Sequence, residues 1–178
     1  MSLPDKIFTP ERYTYKDYKL WKGNWELING YPYAMSPSPN RKHQRFLSEF
    51  IAAGVSEIKN NNGNCDCGVY SELDWIINDE TVVRPDIMII CGNFETDFLT
   101  FPPTLIVEIA SPSTRMRDRN AKFVLYEMCG VKYYILADPD KKSIEVYKLT
   151  NNKYQQVSEN SFQLTSSCII NLDLQALW

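Results

Sequence analysis

Apolar positions along this chain follow two periods, and the switches between them mark the elements. From Arg41 to Lys59, Phe46, Leu47, Phe50, Ile51, Val55 and Ile58 recur at helical spacing. Ser36-Pro37-Ser38-Pro39-Asn40 caps that helix. Before it, Trp25 to Met35 predicts a hairpin around Asn29-Gly30, because both positions tolerate positive φ. Earlier still, Tyr15, Tyr18 and Trp21 share one face of a short helix that follows Thr14.

Strand-like runs dominate the middle. Gly68 to Ile77 alternates imperfectly and predicts a strand ending in Trp75-Ile76-Ile77. Asn78-Asp79-Glu80 turns it into Thr81 to Cys91, which makes a second hairpin. A polar and aromatic loop over 92–101 leads to Pro102-Pro103 and a strand over 104–110. Ser111-Pro112-Ser113-Thr114 ends that strand. A helix over 115–129 follows, with Ser113 or Thr114 as N-cap and Gly130 as its stop. Phe123, Val124, Leu125, Tyr126 and Met128 supply its packing surface.

Lys132 to Ala137 predicts a strand, turned by Asp138-Pro139-Asp140 into Ser143 to Leu149. Tyr154 to Val157 adds an edge strand, and Cys168 to Trp178 holds a short strand or helix. The consistent architecture is α/β: a mixed central sheet flanked by helices, with added antiparallel hairpins. No internal repeat or linker divides the 178 residues, so one domain is the simplest organisation.

Composition narrows the picture. The 44% apolar content suits an ordered globular chain. No apolar run approaches the ~20 residues that span a bilayer. Met1 to Lys6 lacks the apolar core of a secretion signal, so the expectation is a reduced, cytoplasmic protein. Cys91 and Cys168 lie in or beside apolar runs and read as buried small residues. Cys65-Asp66-Cys67 has one intervening residue, against the two to four common in zinc sites, which argues against a structural metal there. The formal charge of -3 gives no overall basic footprint, so a nucleic-acid role must rest on local charge.

The stretch from Arg84 to Lys122 carries the candidate chemistry. Asp86 opens one apolar run and Glu108 sits inside the next, where an uncompensated carboxylate is costly. Side by side on adjacent strands, these acids offer oxygen ligands to a hard cation such as Mg²⁺, with the Ile109 carbonyl as a third. Lys122 lies ~12 Å along the following helix. Glu108 lies ~7 Å back from the strand end, so a lysine side chain spans the gap. Other readings stand beside this one. Asp86 after Pro85 suits a turn, Glu108 suits a structural ion pair with Arg84 or Arg115, and Lys122 alone suits a solvated helix face. Arg115, Arg117 and Arg119 suit a solvated face or phosphate contacts. His43, in the first turn of its helix, suits capping or packing as well as a site.

One signature joins these pieces in order. It comprises Glu26-Leu27-Ile28-Asn29-Gly30, His43-Gln44, Arg84-Pro85-Asp86, Val107 to Thr114, Asp118 to Lys122, Tyr126, Gly130-Val131 and Tyr133-Tyr134. The chain thereby resembles the Uma-two-type, restriction-endonuclease-like branch of the PD-(D/E)XK nuclease superfamily, over about residues 24–148. The resemblance implies a restriction-endonuclease-like core, preceded by an N-terminal helical segment over 1–23 and followed by a C-terminal extension over 149–178. It implies a Mg²⁺-dependent endonuclease, with Mn²⁺ as a substitute and DNA as substrate. Asp86 matches the aspartate of the PD element. Glu108 matches the first acid of the (D/E)XK element, which here reads Glu108-Ile109-Ala110 and so lacks its lysine. Lys122 matches the lysine displaced to the next helix, and Glu26 the additional acid. His43, Arg84, Arg115 and Arg119 are accessory candidates. Superfamily analogy also implies a homodimer. The competing implication is a catalytically inactive binding domain on the same fold.

Overall fold

A computed structural model describes residues 11–35, 39–61, 65–111 and 118–178, with only the backbone given for Asp118 and Arg119. The fold subdivides into two main sheets that meet at the proposed site. A six-stranded sheet runs in the order β10-β9-β8-β7-β6-β3. Its strands are β3 (Cys67–Ser71), β6 (Ile87–Cys91), β7 (Leu105–Ile109), β8 (Tyr133–Asp138), β9 (Ser143–Thr150) and β10 (Lys153–Val157). Only β7 and β8 pair in parallel, so the sheet is mixed. A four-stranded antiparallel sheet runs β2-β1-β5-β4, built from β1 (Trp25–Ile28), β2 (Tyr31–Ala34), β4 (Trp75–Asn78) and β5 (Thr81–Val83). A small hairpin of β11 (Ser161–Gln163) and β12 (Ile169–Asn171) precedes a 3₁₀ turn at Leu174–Leu177.

Alternation along β7 builds a core on each face of the large sheet. Leu105, Val107 and Ile109 point to one side, where they meet Phe46, Leu47 and Phe50 of α2 (Arg41–Asn60). Phe162, Ile170, Leu174 and Leu177 close the same core, so the C-terminal residues are part of it. Ile106 points the other way, into a second core with Trp75, Tyr126 and Tyr134. Glu108 takes the next position on that second face, where an apolar residue would otherwise stand.

The Asn29-Gly30 hairpin forms as expected, with φ of 51° and 79° at its two turn residues. The α2 helix begins at Arg41, where Asn40 accepts the backbone N–H of His43. The N-terminal helix shrinks to one turn, α1 (Tyr15–Tyr18), with the Asp17 carboxylate accepting from the N–H and hydroxyl of Thr14.

Three expectations are corrected. The run 68–77 is two strands, β3 and β4, in different sheets. Glu72 breaks it with φ of 52°, and its N–H donates to the Asp86 carbonyl. The run 81–91 likewise divides into β5 and β6, because Pro85 has no N–H and that of Arg84 goes to the Glu26 side chain instead of a ladder. Of the helix expected over 115–129, residues 115–117 lie outside the described residues and the described part is helical, a π-helical turn, Asp118–Lys122, running into α3 (Phe123–Met128). Its exposed face carries Val124 and Met128, which therefore do not pack. Gly130 ends it in the left-handed region. The proposed caps Ser113 and Thr114 lie outside the described residues. Among the described residues, no helix is long and apolar enough to cross a membrane.

Candidate functional site

Three separate layers converge on Lys122. Glu26 reaches it from β1, in the four-stranded sheet, with Oε1 2.7 Å from Nζ. Glu108 reaches it from β7, in the six-stranded sheet, with Oε1 2.9 Å from Nζ. All three side chains are almost fully buried. A charge in such a place persists only with a partner and further hydrogen bonds. Both are present: the Arg84 N–H donates to Glu26 Oε1 at 3.0 Å, and the Tyr126 hydroxyl donates to Glu108 Oε1 at 2.7 Å.

Tyr126, read in the sequence as a packing residue and as a member of the signature, touches the site through its hydroxyl. It lies four residues after Lys122, so both side chains leave the same side of the helix. That spacing was the available signal. Burial, with the nearby Glu108 and Glu26 carboxylates, pushes the Tyr126 phenol well above its ordinary pKa, so it remains a donor.

Asp86 lies one residue beyond the β6–β7 ladder. That ladder pairs Ile87 with Val107, which sets Asp86 across from Glu108. Its Oδ2 accepts the Ile109 N–H at 2.6 Å, and its Oδ1 stands 3.2 Å from His43 Nε2. His43 therefore reaches the site from the opposite face of the sheet. Its Nδ1 is buried with no hydrogen-bond partner among the described residues. At Ile109, the observed contact is through the N–H.

Arg84 serves the junction between the two sheets. Its Nε donates to Asp74 at 2.6 Å, and Tyr18 joins the pair through its hydroxyl, 3.0 Å from Asp74 Oδ2. The hydrogen bond to Asp74 raises the Arg84 pKa further. Glu108 is thus paired with Lys122 and not with Arg84. Arg115 and Arg117 lie outside the described residues, as does the side chain of Arg119.

Formally, two carboxylates share one ammonium in the buried cluster, and Asp86 adds a third negative group beside it. The donors are oxygen atoms, the set preferred by Mg²⁺ and Mn²⁺. Among the described residues, no three carboxylate or imidazole groups close into a ready-made cage. A small cation that keeps several of its waters suits such an incomplete set.

The chain matches the model of the Uma2 family, described as "Putative restriction endonuclease", over residues 15–176. It belongs to that family. The match extends past residues 24–148 at both ends and takes in the C-terminal hairpin. An uncharacterized protein of Synechocystis is 28% identical over 153 residues, which cover 82% of this chain and 76% of that protein. The crystal structure of a "putative nuclease belonging to DUF820" from Anabaena variabilis superposes with a TM-score of 0.72 at 19% identity. The superposition covers 92% of this chain and 98% of that one, so the two share a fold. The Uma2 fold of this chain is accordingly restriction-endonuclease-like.

Two predictions follow from the buried cluster. Lys122→Met leaves two buried carboxylates without their cation and should cost about 3–5 kcal/mol, read by urea unfolding. An unchanged midpoint would show that the three groups do not act as one unit. The second concerns alkaline pH. A phenol raised in the folded state stays protonated while its unfolded counterpart ionises above ~10. Stability should therefore be intact below that pH and fall as pH rises through it. Tyr18 and Tyr154 are raised as well, chiefly by burial, and share in the loss. Tyr126→Phe should make the alkaline slope shallower, and an equal slope in both proteins would contradict the assignment.

Proposed function

We propose that this protein is a metal-dependent endonuclease that hydrolyses DNA phosphodiester bonds. The observation that carries the reading is the Glu108–Lys122 pair at the end of β7, set across from Asp86. Asp86, Glu108 and the Ile109 carbonyl would hold Mg²⁺, or Mn²⁺ in its place. Such an ion supplies a Lewis acid for the phosphate and lowers the pKa of a bound water.

The protein's own groups have separable tasks. Lys122 Nζ can donate to the attacking water or to a phosphate oxygen, and Glu26 and Glu108 fix where that ammonium stands. Tyr126 holds the Glu108 carboxylate by one oxygen. His43 orients Asp86 from the other face of the sheet. Arg84 braces the junction, and Arg115 and Arg119 remain candidates for phosphate contacts.

Local charge supports a polyanionic substrate despite the net charge of -3. Lys42, Arg45, Lys141 and Lys142 line a cavity of about 370 Å³ with Phe46, Trp178 and Asp140, the last paired with Lys42. Lys42 and Arg45 flank His43 on α2, so this basic patch adjoins the proposed site.

A second reading is a binding domain without catalysis. It is favoured by a cluster whose polar groups already hold partners within the protein, Lys122 with two acids and Asp86 with Ile109 and His43. Plasmid cleavage with Mg²⁺ or Mn²⁺ separates the two. Wild type should cut, while Asp86→Asn and Lys122→Arg, each checked for folding by circular dichroism, should lose at least ~100-fold in rate. Equal activity in all three would remove the assignment. Failure of the wild type to cut, with no metal binding by calorimetry, would favour the binding domain. Cleavage of RNA or small phosphodiesters alone would redirect the substrate. A homodimer belongs to the same proposal, and light scattering at micromolar concentration should give twice the chain mass; a monomer would count against it.

A further inference from the structure

At the far end of β6 from Asp86, four cysteines meet. Cys91 closes the strand, ~17 Å along it from Asp86. Cys67 is its partner across the β3–β6 ladder, so both side chains leave one face of the sheet. Cys65, two residues before Cys67, shares that direction. Cys168 arrives from above, on the turn entering β12, and is fully buried. The structure pairs Cys65 with Cys168 and Cys67 with Cys91 at bonding distance. Cys91 and Cys168, expected as buried small residues of a reduced protein, are thus each paired with another cysteine.

The two pairs are not independent of each other. The sulfurs of Cys65, Cys67 and Cys168 all lie within 4.8 Å of one another, although they belong to different pairs. Two disulfides require only that each sulfur meet its own partner. Sulfur against sulfur across the pairs is what a tetrahedral centre requires: with Zn–S near ~2.3 Å, its S···S edge is ~3.8 Å. Cys65, Cys67 and Cys168 supply three corners of such a centre, and Cys91, paired with Cys67, stands beside it as the fourth donor.

We propose that Cys65, Cys67, Cys91 and Cys168, when reduced, bind one soft divalent cation of the Zn²⁺ class as a tetrathiolate. The paired state is the oxidised form of the same cluster and holds no metal, because its sulfurs are no longer thiolates. The bound ion is structural. It ties the segment after α2 and the end of β6 to the C-terminal hairpin, whose residues 162–177 complete the α2-side core. The assignment is independent of nuclease activity.

Co²⁺ reports the site directly. The full chain, reduced with a phosphine and kept anaerobic, should develop thiolate-to-cobalt charge-transfer and tetrahedral d–d bands that saturate at one ion per chain. Zn²⁺ should displace the cobalt, and the reduced chain should melt higher with Zn²⁺ than with a chelator. Cys91→Ser and Cys168→Ser should each weaken cobalt binding at least ~10-fold. Asp86→Asn should leave the bands unchanged, which separates this site from the oxygen donors. The proposal is overturned if the reduced wild type is folded by circular dichroism and shows no cobalt–thiolate band. It is equally overturned if the native chain resists reduction and its intact mass lacks the hydrogens of these four thiols, which would make the cysteines two disulfides only.

Discussion

The ammonium of Lys122, buried between Glu26 and Glu108, is the constraint on which the arrangement of this fold depends. Each of the three groups comes from a different layer: the small sheet, the large sheet and the helix after β7. None is compatible with burial alone, since each isolated charge would face a desolvation cost of several kcal/mol. Together they make the relative position of the layers a matter of hydrogen-bond geometry. Apolar packing tolerates small slides between sheets, whereas a lysine bridging two carboxylates at 2.7 and 2.9 Å does not. Tyr126 and the Arg84 N–H then restrict the two carboxylates in turn.

The Arg84-Pro85-Asp86 break is what allows the layers to separate. A continuous strand from Thr81 to Cys91 would keep both halves in one sheet and leave Glu26 remote from Glu108. Proline ends the ladder, Arg84 directs its N–H to Glu26, and Asp86 turns its carboxylate to the next strand and to His43. Three consecutive residues thus link the fold's topological break to every part of the candidate site. The charge on Arg84 is meanwhile engaged by Asp74 and Tyr18, which keeps it from competing with Lys122 for the two acids.

What the sequence disclosed follows from locality. Asn29-Gly30, the α2 repeat, the β8–β9 turn and the β7 strand all rest on neighbours in the chain, and all were legible. Lys122 was legible because helix rise and strand rise bound its reach to Glu108. The failures are non-local or two-sided. The splits of 68–77 and 81–91 were hidden because both halves of each run are apolar, and each half packs in a different sheet. The contact of the Tyr126 hydroxyl was hidden because a buried aromatic at helical spacing looks the same whether or not its hydroxyl has a task. The cysteine cluster depends on strand register and on the return of the C-terminal hairpin, neither of which residue spacing encodes. Its closest pair in sequence, with one residue between, suits one sheet face better than the tight loops of familiar zinc motifs.

β6 places two chemically opposite donor sets at its two ends. Oxygen atoms gather near Asp86 and sulfur atoms near Cys91. Magnesium-class ions have little affinity for thiolates, and soft cations prefer a full set of thiolates to a pair of carboxylates. The two ends therefore need no barrier between them to stay distinct, since ligand chemistry sorts the ions. On the two proposals, the same strand would carry a hard cation at the junction of the sheets and a soft one where the C-terminal hairpin docks. The two ends are joined by β6, whose Ile87 to Ile90 are almost wholly buried, and by its neighbour β3, which runs into Glu72, whose N–H donates to the Asp86 carbonyl. A packed, fully paired strand of this kind transmits position well and yields little. The cysteine end thus bears on the acidic end by holding the strand that carries Asp86 in place.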